Sequence, residues 1–313
     1  MKNIKKIKGD ASHREFFRKK NKYQTSIIVL AKKEKIKNLL IDDAINKILN
    51  KNGVLAPLLY QENFKKSYIE IQDFGNKSIF DILNKKKNNK FSYFKKIINL
   101  LIQIQSIKDK RIKNFKNDNY AIPKYDKKTL IKEANLFCGW YLKKNLNKTK
   151  KNKFLKEYKK IIKKLASNLK QKNNVFVHRD FHVSNLMLTN NQIGVIDSQD
   201  ALIGNRAYDL ASLVDDVRLR TSESLKKKVF NFYLKKQKKI DINKFKNDFE
   251  ILSILRNLKI IGIFSRLAIR DGKKNYLQLI PYAWTLINLR INKNKIFKDL
   301  KKLLKQNFLG KIK

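Results

Sequence analysis

One short segment of the chain, residues 178–197, carries side chains whose types and spacing fit phosphoryl transfer. It begins HRDFHVSN and ends GVID, so that Asp180 precedes Asn185 by five positions and Asp197 closes the segment. Phosphoryl transfer from ATP needs one carboxylate beside the acceptor hydroxyl, and an amide oxygen and a second carboxylate to hold Mg²⁺. We therefore expect Asp180 to be the catalytic base and Asn185 and Asp197 to be the metal ligands.

Two apolar runs within this segment favour a β-hairpin that would present these polar groups. Residues 185–188 and 193–196 are β-prone, and the Thr-Asn-Asn sequence between them is typical of a tight turn. A plainer interpretation is a pair of buried strands with polar ends, because an Asp and an Asn at this spacing also occur by chance. The complete order, from His-Arg-Asp through the hairpin to the closing Asp, favours the catalytic interpretation.

Three pieces of the sequence resemble the aminoglycoside phosphotransferase-like kinases. That family reads approximately H-x-D-x-H-x-x-N, then I-D-x-x-D-A-x-x-G, then Y-D-L-A, and residues 178–213 match all three at the family's spacing. Within the family, further segments resemble the bacterial N-acetylmuramate/N-acetylglucosamine anomeric kinases. These segments are GDASHR at 9–14, QDFG at 72–75, and GIFSRL followed by RDGK within 262–273. The resemblance extends over nearly the whole chain.

The resemblance implies an α+β, protein-kinase-like fold of two lobes. A small antiparallel β-rich N-lobe is expected over residues 1–75, and a large, mainly helical C-lobe over residues 76–313. Hydrophobic periodicity agrees with this division. Residues 25–31 and 67–72 are β-prone, and residues 36–49 between them show helical spacing. Long helical stripes follow, interrupted by the catalytic hairpin.

The resemblance also implies where the N-lobe binds ATP. Gly9 and Ser12 lie in the expected phosphate loop, where small residues let backbone N–H groups approach an anion. Gln72 and Phe74 lie in the expected hinge, which binds adenine through its backbone. Taken alone, the first segment also fits an ordinary hairpin and the second a plain linker.

The sequence departs from the usual kinase pattern at the residue that supplies a positive charge to the nucleotide phosphates. Kinases place a Lys on the third strand and pair it with a Glu on the following helix. Residues 25–31 contain no Lys, an absence that resembles the anomeric kinases and argues against a protein kinase. The acidic residues near the helix, none at an obvious matching position, are Glu34, Asp42 and Asp43. Arg14 and Lys32 are the two candidates for the missing cation.

Four more polar residues belong to the motif region. We expect His178 to be structural, and His182 to be either structural or a substrate contact. Asp200 has two equal interpretations, as a side chain that lines the acceptor site or as a cap of the following turn. Asp209 opens a helix, where a carboxylate suits the helix dipole, and is expected to anchor the catalytic loop.

Arg266 and Arg270, near the end of a late helix, are candidates for substrate recognition. The lactyl carboxylate of a muramic sugar would pair well with a guanidinium group. The alternative is an exposed helix face on which an Arg pairs with Asp271.

The chain is strongly basic, with 74 Lys and Arg against 26 Asp and Glu and a net charge of +48. Such a balance often indicates nucleic-acid binding. Here the excess is almost all Lys and is spread along the chain, which is typical of a coding bias at solvated positions. We therefore expect no specific nucleic-acid partner. We also expect no membrane span, no obligate protein partner and a cytoplasmic location.

Taken together, the sequence predicts an ATP- and Mg²⁺-dependent kinase that phosphorylates the anomeric hydroxyl of an amino sugar in cell-wall recycling. N-acetylmuramate and N-acetylglucosamine are both candidate acceptors. Two other classes remain open. One is a phosphotransferase of the same fold that acts on an aminoglycoside or a choline-like acceptor, and the other is a non-catalytic basic protein that binds nucleic acid.

Overall fold

The structure is a computed structural model that describes residues 4–7, 14–31, 36–85 and 89–312. The chain forms two compact units. The first consists of residues 1–123 and 175–203, and the second of residues 124–174 and 204–313. This division differs from the expected lobes, whose boundary after residue 75 stays a prediction.

A five-stranded antiparallel sheet forms the first part of unit 1. Its strands are β1 (Ile4–Ile7), β2 (Glu15–Lys20), β3 (Thr25–Leu30), β4 (Leu59–Asn63) and β5 (Tyr68–Gln72), in the spatial order β1-β2-β3-β5-β4. Ile27, Val29 and Ile69 are buried on the sheet and form a core with Leu39 of helix α1 (Lys37–Lys51). The apolar residues of β3 and α1 thus lie at the predicted positions.

The rest of unit 1 includes the segment predicted to be catalytic, residues 178–197. It contains α2 (Ile79–Lys85), α3 (Lys90–Ser106), the hairpin of β6 (Arg111–Lys113) and β7 (Asn119–Ala121), and the hairpin of β9 (Leu186–Thr189) and β10 (Gln192–Val195). Between β9 and β10, Asn190 and Asn191 have φ angles of 46° and 60°. Asn tolerates this left-handed conformation, and a two-residue turn that has it matches the twist of paired strands. The hairpin predicted from the sequence is therefore present.

Unit 2 is mainly helical. Strands β8 (Asn173–Val177) and β11 (Leu202–Asn205) carry the chain between the units, and the helices are α4 (Lys127–Ala134), α5 (Leu142–Asn145), α6 (Lys148–Ser167), α7 (Ala207–Val214), α8 (Glu223–Lys236), α9 (Ile242–Arg270), α10 (Ile280–Ile291) and α11 (Lys298–Asn307). A π-helical turn, Phe137–Tyr141, precedes α5. Around Phe137 pack the rings of Tyr158, Trp284 and Phe308. No helix in the described ranges is long and apolar enough to cross a membrane.

One predicted helix ends earlier than expected. The apolar pattern of residues 208–220 predicts a single helix, but α7 ends at Val214. The next residue, Asp215, is fully buried, and its carboxylate accepts hydrogen bonds of 2.9 and 3.0 Å from Arg290. An unpaired buried carboxylate is very costly, and this contact with a residue far along the chain gives the Asp215 carboxylate a partner immediately after the last residue of α7.

Gly262 gives a stability prediction for unit 2. A Cβ added there would lie 2.3 Å from the carbonyl carbon of Leu136, because α9 crosses the chain beside the π-helical turn. Backbone atoms cannot move aside as a side chain can, so we expect Gly262→Ala to lower the free energy of unfolding by about 2–3 kcal/mol. Thermal or urea unfolding measures this. Gly139→Ala is the matched control, because a Cβ there meets nothing within 4 Å. Equal stabilities of the two variants would contradict the prediction.

Candidate active site

The segment predicted to be catalytic, residues 178–197, begins with a strained turn after β8. Arg179 has a φ of 76°, a left-handed conformation that residues other than Gly seldom adopt. The carbonyl oxygen of Asp180 then accepts hydrogen bonds from the His182 backbone N–H at 2.9 Å and from Asn185 Nδ2 at 3.0 Å. These bonds bring Asn185 back onto Asp180. Strain of this kind is common at functional sites, where the surrounding structure holds it in place.

Asp197 follows β10 and lies at the open end of the hairpin, the same end as Asn185. Its backbone is also left-handed, with a φ of 64°. The preceding residue, Ile196, donates its N–H to the Asn185 carbonyl at 3.0 Å, so that the two expected metal ligands belong to one hydrogen-bonded unit. The Asp197 side chain is 37% exposed. The structure thus brings together Asp180, Asn185 and Asp197, the three residues predicted to carry the chemistry.

The oxygen atoms of Asn185 and Asp197 suit a magnesium ion. Asn185 uses its nitrogen to bond Asp180, which leaves its side-chain oxygen as the remaining acceptor. Asp197 Oδ1 accepts from Arg14 and Gln199, while Oδ2 receives no hydrogen bond from any described residue. The described residues contain no cluster of three or more His, Cys, Asp or Glu side chains placed to bind a metal. Mg²⁺ does not need one, since it is commonly held by one or two protein oxygens together with phosphates and water.

Arg14 lies among three acceptors in this site. Its Nη1 donates to Asp42 of α1 at 3.2 Å, and its Nη2 donates to Asp197 at 2.6 Å and to Gln199 at 3.0 Å. The Arg14 side chain is 6% exposed and that of Asp42 is 7% exposed. Sequence reasoning named Arg14 as one of two candidates for a phosphate cation but found no acidic partner for it. Lys32, the other candidate, lies outside the described residues, as do Gly9 and Ser12.

The remaining polar residues of the motif have distinct surroundings. His178 is fully buried, and burial lowers the pKa of its imidazole although the nearby carboxylates of Asp180 and Asp197 oppose that shift. The lowered pKa favours the neutral imidazole, which fits the expected structural role. His182 is also buried. Asp200 is exposed and accepts a hydrogen bond of 3.0 Å from Arg179, the strained residue next to Asp180. The roles expected for these residues stay predictions.

The expected hinge is held firmly against the sheet. Gln72, the last residue of β5, donates its backbone N–H to the Leu58 carbonyl at 2.8 Å. Arg18 of β2 then pairs with Asp73 at 2.5 Å. Phe74 is buried against Gly194 of β10, where an added Cβ would lie 2.6 Å from its ring. Binding of adenine by Gln72 and Phe74 stays a prediction.

Three of the predicted residues belong to unit 2. Asp209 lies in the first turn of α7 and is fully buried, which fits an anchoring role. Arg266 and Arg270 lie near the end of α9. Two hydrogen bonds of 2.7 and 2.9 Å join Arg270 to Asp271, as the plainer interpretation of this helix end expects. Burial and the charge of Arg270 lower the pKa of Arg266. The roles of these residues in anchoring the loop and binding substrate stay predictions.

The chain belongs to the phosphotransferase enzyme family, whose sequence model matches residues 3–241. It is therefore a phosphotransferase that acts on a hydroxyl group, as the motifs of residues 178–213 predict. A protein of Pseudomonas aeruginosa named N-acetylmuramate/N-acetylglucosamine kinase is 29% identical to it over 258 residues, which cover 80% of this chain and 73% of that protein. The resemblance to such kinases, inferred from the motifs, is confirmed.

Solved structures show the same fold at low sequence identity. An ethanolamine kinase of Plasmodium vivax has a TM-score of 0.64 and 17% identity, and covers 93% of this chain and 84% of its own. An aminoglycoside phosphotransferase solved with ADP has a TM-score of 0.60 and 16% identity, and covers 94% of each chain. The predicted α+β, protein-kinase-like fold is confirmed.

Proposed function

We propose that this enzyme is an ATP- and Mg²⁺-dependent kinase that phosphorylates the anomeric hydroxyl of an amino sugar. The acceptor is N-acetylmuramate, N-acetylglucosamine or both, and the reaction belongs to the recycling of cell-wall sugars. The observation that carries the proposal is the hydrogen-bonded unit of Asp180, Asn185 and Asp197. The name of the relative from Pseudomonas aeruginosa supports the choice of acceptor.

In this proposal Asp180 receives or orients the proton of the acceptor hydroxyl. The acceptor oxygen forms a bond to the γ-phosphorus of ATP, the bond from that phosphorus to the bridging oxygen breaks, and ADP leaves. An anomeric hydroxyl is more acidic than an ordinary alcohol, so one carboxylate suffices as its partner. Much of the rate enhancement comes from holding the two reactants in line, because the transition state of phosphoryl transfer is loosely bonded.

Asn185 and Asp197 hold Mg²⁺ in this proposal through the two side-chain oxygens described above. The bound ion would neutralise charge on the phosphates. The contribution of the chain is to aim both ligands. The bond from Asn185 Nδ2 to the Asp180 carbonyl orients the amide, and the bond from Ile196 to Asn185 sets the position of the chain next to Asp197.

The position of the phosphate on the product shows which hydroxyl, and which sugar, is the acceptor. We expect incubation with ATP, Mg²⁺ and a panel of sugars to give a sugar 1-phosphate from N-acetylmuramate, N-acetylglucosamine or both. Its ³¹P signal should couple to the anomeric proton, and its phosphate should be labile to acid. The 1-O-methyl glycoside of each sugar is the control, because it lacks the reacting hydroxyl and should give no product. A phosphate that couples to methylene protons, or transfer to aminoglycosides or choline alone, would show that the acceptor is assigned wrongly.

A further inference from the structure

We propose that Arg14 and Asp42 together replace the ion pair that kinases usually build from a third-strand Lys and a helix Glu. Arg14 supplies the positive charge for the nucleotide phosphates, and Asp42 is a positioning residue that holds the guanidinium in place. This inference rests on the proposed use of ATP, but not on the identity of the acceptor sugar.

The strand register explains how an Arg next to β2 takes the place of a Lys on the third strand. In β3, which reads TSIIVL, no residue carries a positive charge. Glu15 of β2 pairs with Leu30 of β3, so Arg14 lies one residue beyond, level with the end of the third strand. Its long side chain reaches Asp42 of α1 on one side and Asp197 on the other. One residue thus links the helix to the expected metal ligand, next to the place where the Lys of other kinases joins the helix Glu to the nucleotide phosphates.

A second contact joins the same face of α1 to the chain after Asp197. Asn46 lies one helical turn beyond Asp42, and its Oδ1 accepts a hydrogen bond of 2.7 Å from the buried hydroxyl of Ser198. The helix is therefore tied to Asp197 through Arg14 and to Ser198 directly. The position of α1 then sets the position of the Arg14 guanidinium.

The contacts of this group place a guanidinium beside the expected metal ligand. Arg14 pairs with two carboxylates, those of Asp42 and Asp197, and donates to the side-chain oxygen of Gln199. Burial raises the pKa of the Asp42 carboxyl, and the Arg14 guanidinium opposes that rise. A charge-assisted contact in a site of this burial is strong, and Arg serves phosphates well because its planar group donates several hydrogen bonds.

Nucleotide binding without catalysis tests the inference. We expect Arg14→Met to raise the dissociation constant of ADP about 10- to 100-fold, the loss of one charge-assisted contact. Binding of adenosine, which has no phosphate, should change less than about threefold, within the scatter of such effects. Arg14→Lys should fall between wild type and Arg14→Met. Titration calorimetry in the presence of EDTA, at a fixed salt concentration, measures the dissociation constants of ADP and adenosine without the metal.

The positioning role of Asp42 is tested by comparing its variant with a variant of Asp43, its neighbour on α1. We expect Asp42→Ala to weaken ADP binding by less than Arg14→Met does, with no further loss when the two are combined. Asp43→Asn is the matched control, because Asp43 is equally buried but pairs with Lys47. Lys19→Met removes one positive charge from β2, where Lys19 pairs with Glu70, and controls for the overall charge. Neither control should change ADP binding.

The outcomes separate this inference from the acceptor assignment. Equal losses of ADP and adenosine binding in Arg14→Met, or no loss of either, would overturn the phosphate role. If Arg14→Met does not fold, Arg14→Met/Asp42→Asn supplies the answer, because it removes both charges together and leaves no buried carboxylate unpaired. Selective loss of ADP binding in an enzyme that phosphorylates no amino sugar would support the inference and overturn the acceptor. A wild-type chain that binds neither nucleoside nor nucleotide would overturn both.

Discussion

We expect Asp197→Ala to lower kcat by about 10³-fold or more and to remove the response of the rate to Mg²⁺. The substitution deletes the carboxylate whose Oδ2 is available to a metal, and a metal clamp on the phosphates is worth several kcal/mol in the transition state. Steady-state rates over a Mg²⁺ titration, with EDTA as the zero point, measure the effect.

The Asp197 variant should stay folded, because Arg14 keeps its contact with Asp42 and the Asp197 side chain is 37% exposed. Asp109→Ala is the control. Asp109 is another carboxylate of unit 1 and pairs with Lys51, as Asp197 pairs with Arg14, and its loss should leave both the rate and the Mg²⁺ response unchanged. Near-normal turnover in Asp197→Ala would exclude Asp197 as the main metal ligand.

The sequence predicts the catalytic hairpin well because its determinants are local. The polar residues and the turn that orders them lie within residues 178–197, and strand alternation together with Asn at the turn defines the pairing. The same holds for β3 and α1, whose apolar residues follow the period of each element. Local signals of this kind also carry the family resemblance, which explains why family and fold follow from the sequence.

The partners of Arg14 cannot be predicted from local sequence signals. Asp42 lies 28 positions away from it and Asp197 lies 183 positions away. Only the packing of β2, α1 and the end of the hairpin brings these charges together. The contact of Gly262 with Leu136 is of the same kind, since it depends on where two distant segments cross. Contacts between side chains that are distant in the sequence can be identified only in the folded structure. Contacts within one loop can be predicted from the sequence.

We expect Asp180→Asn to lower kcat by about 10²- to 10⁴-fold, the range for loss of a general base, and to change the dissociation constant of ADP by less than about threefold. The substitution removes the proton acceptor and keeps the size of the side chain. The bonds that hold the loop, from His182 N–H and Asn185 Nδ2, end on the carbonyl oxygen of Asp180 and survive the change. The variant therefore tests the chemistry of the carboxylate apart from the structure of the loop.

Asp200→Asn is the matched control for Asp180→Asn. Asp200 accepts a hydrogen bond from Arg179, next to Asp180, but its side chain is 54% exposed. An Asn there can still accept that bond and loses only its charge, so we expect kcat to fall by less than about tenfold, which corresponds to about 1 kcal/mol or less. Rapid-quench measurement of a single turnover isolates the chemical step from product release. If ADP affinity in Asp180→Asn falls as far as the rate of that step, the carboxylate holds the nucleotide site together, and the catalytic base must be sought elsewhere.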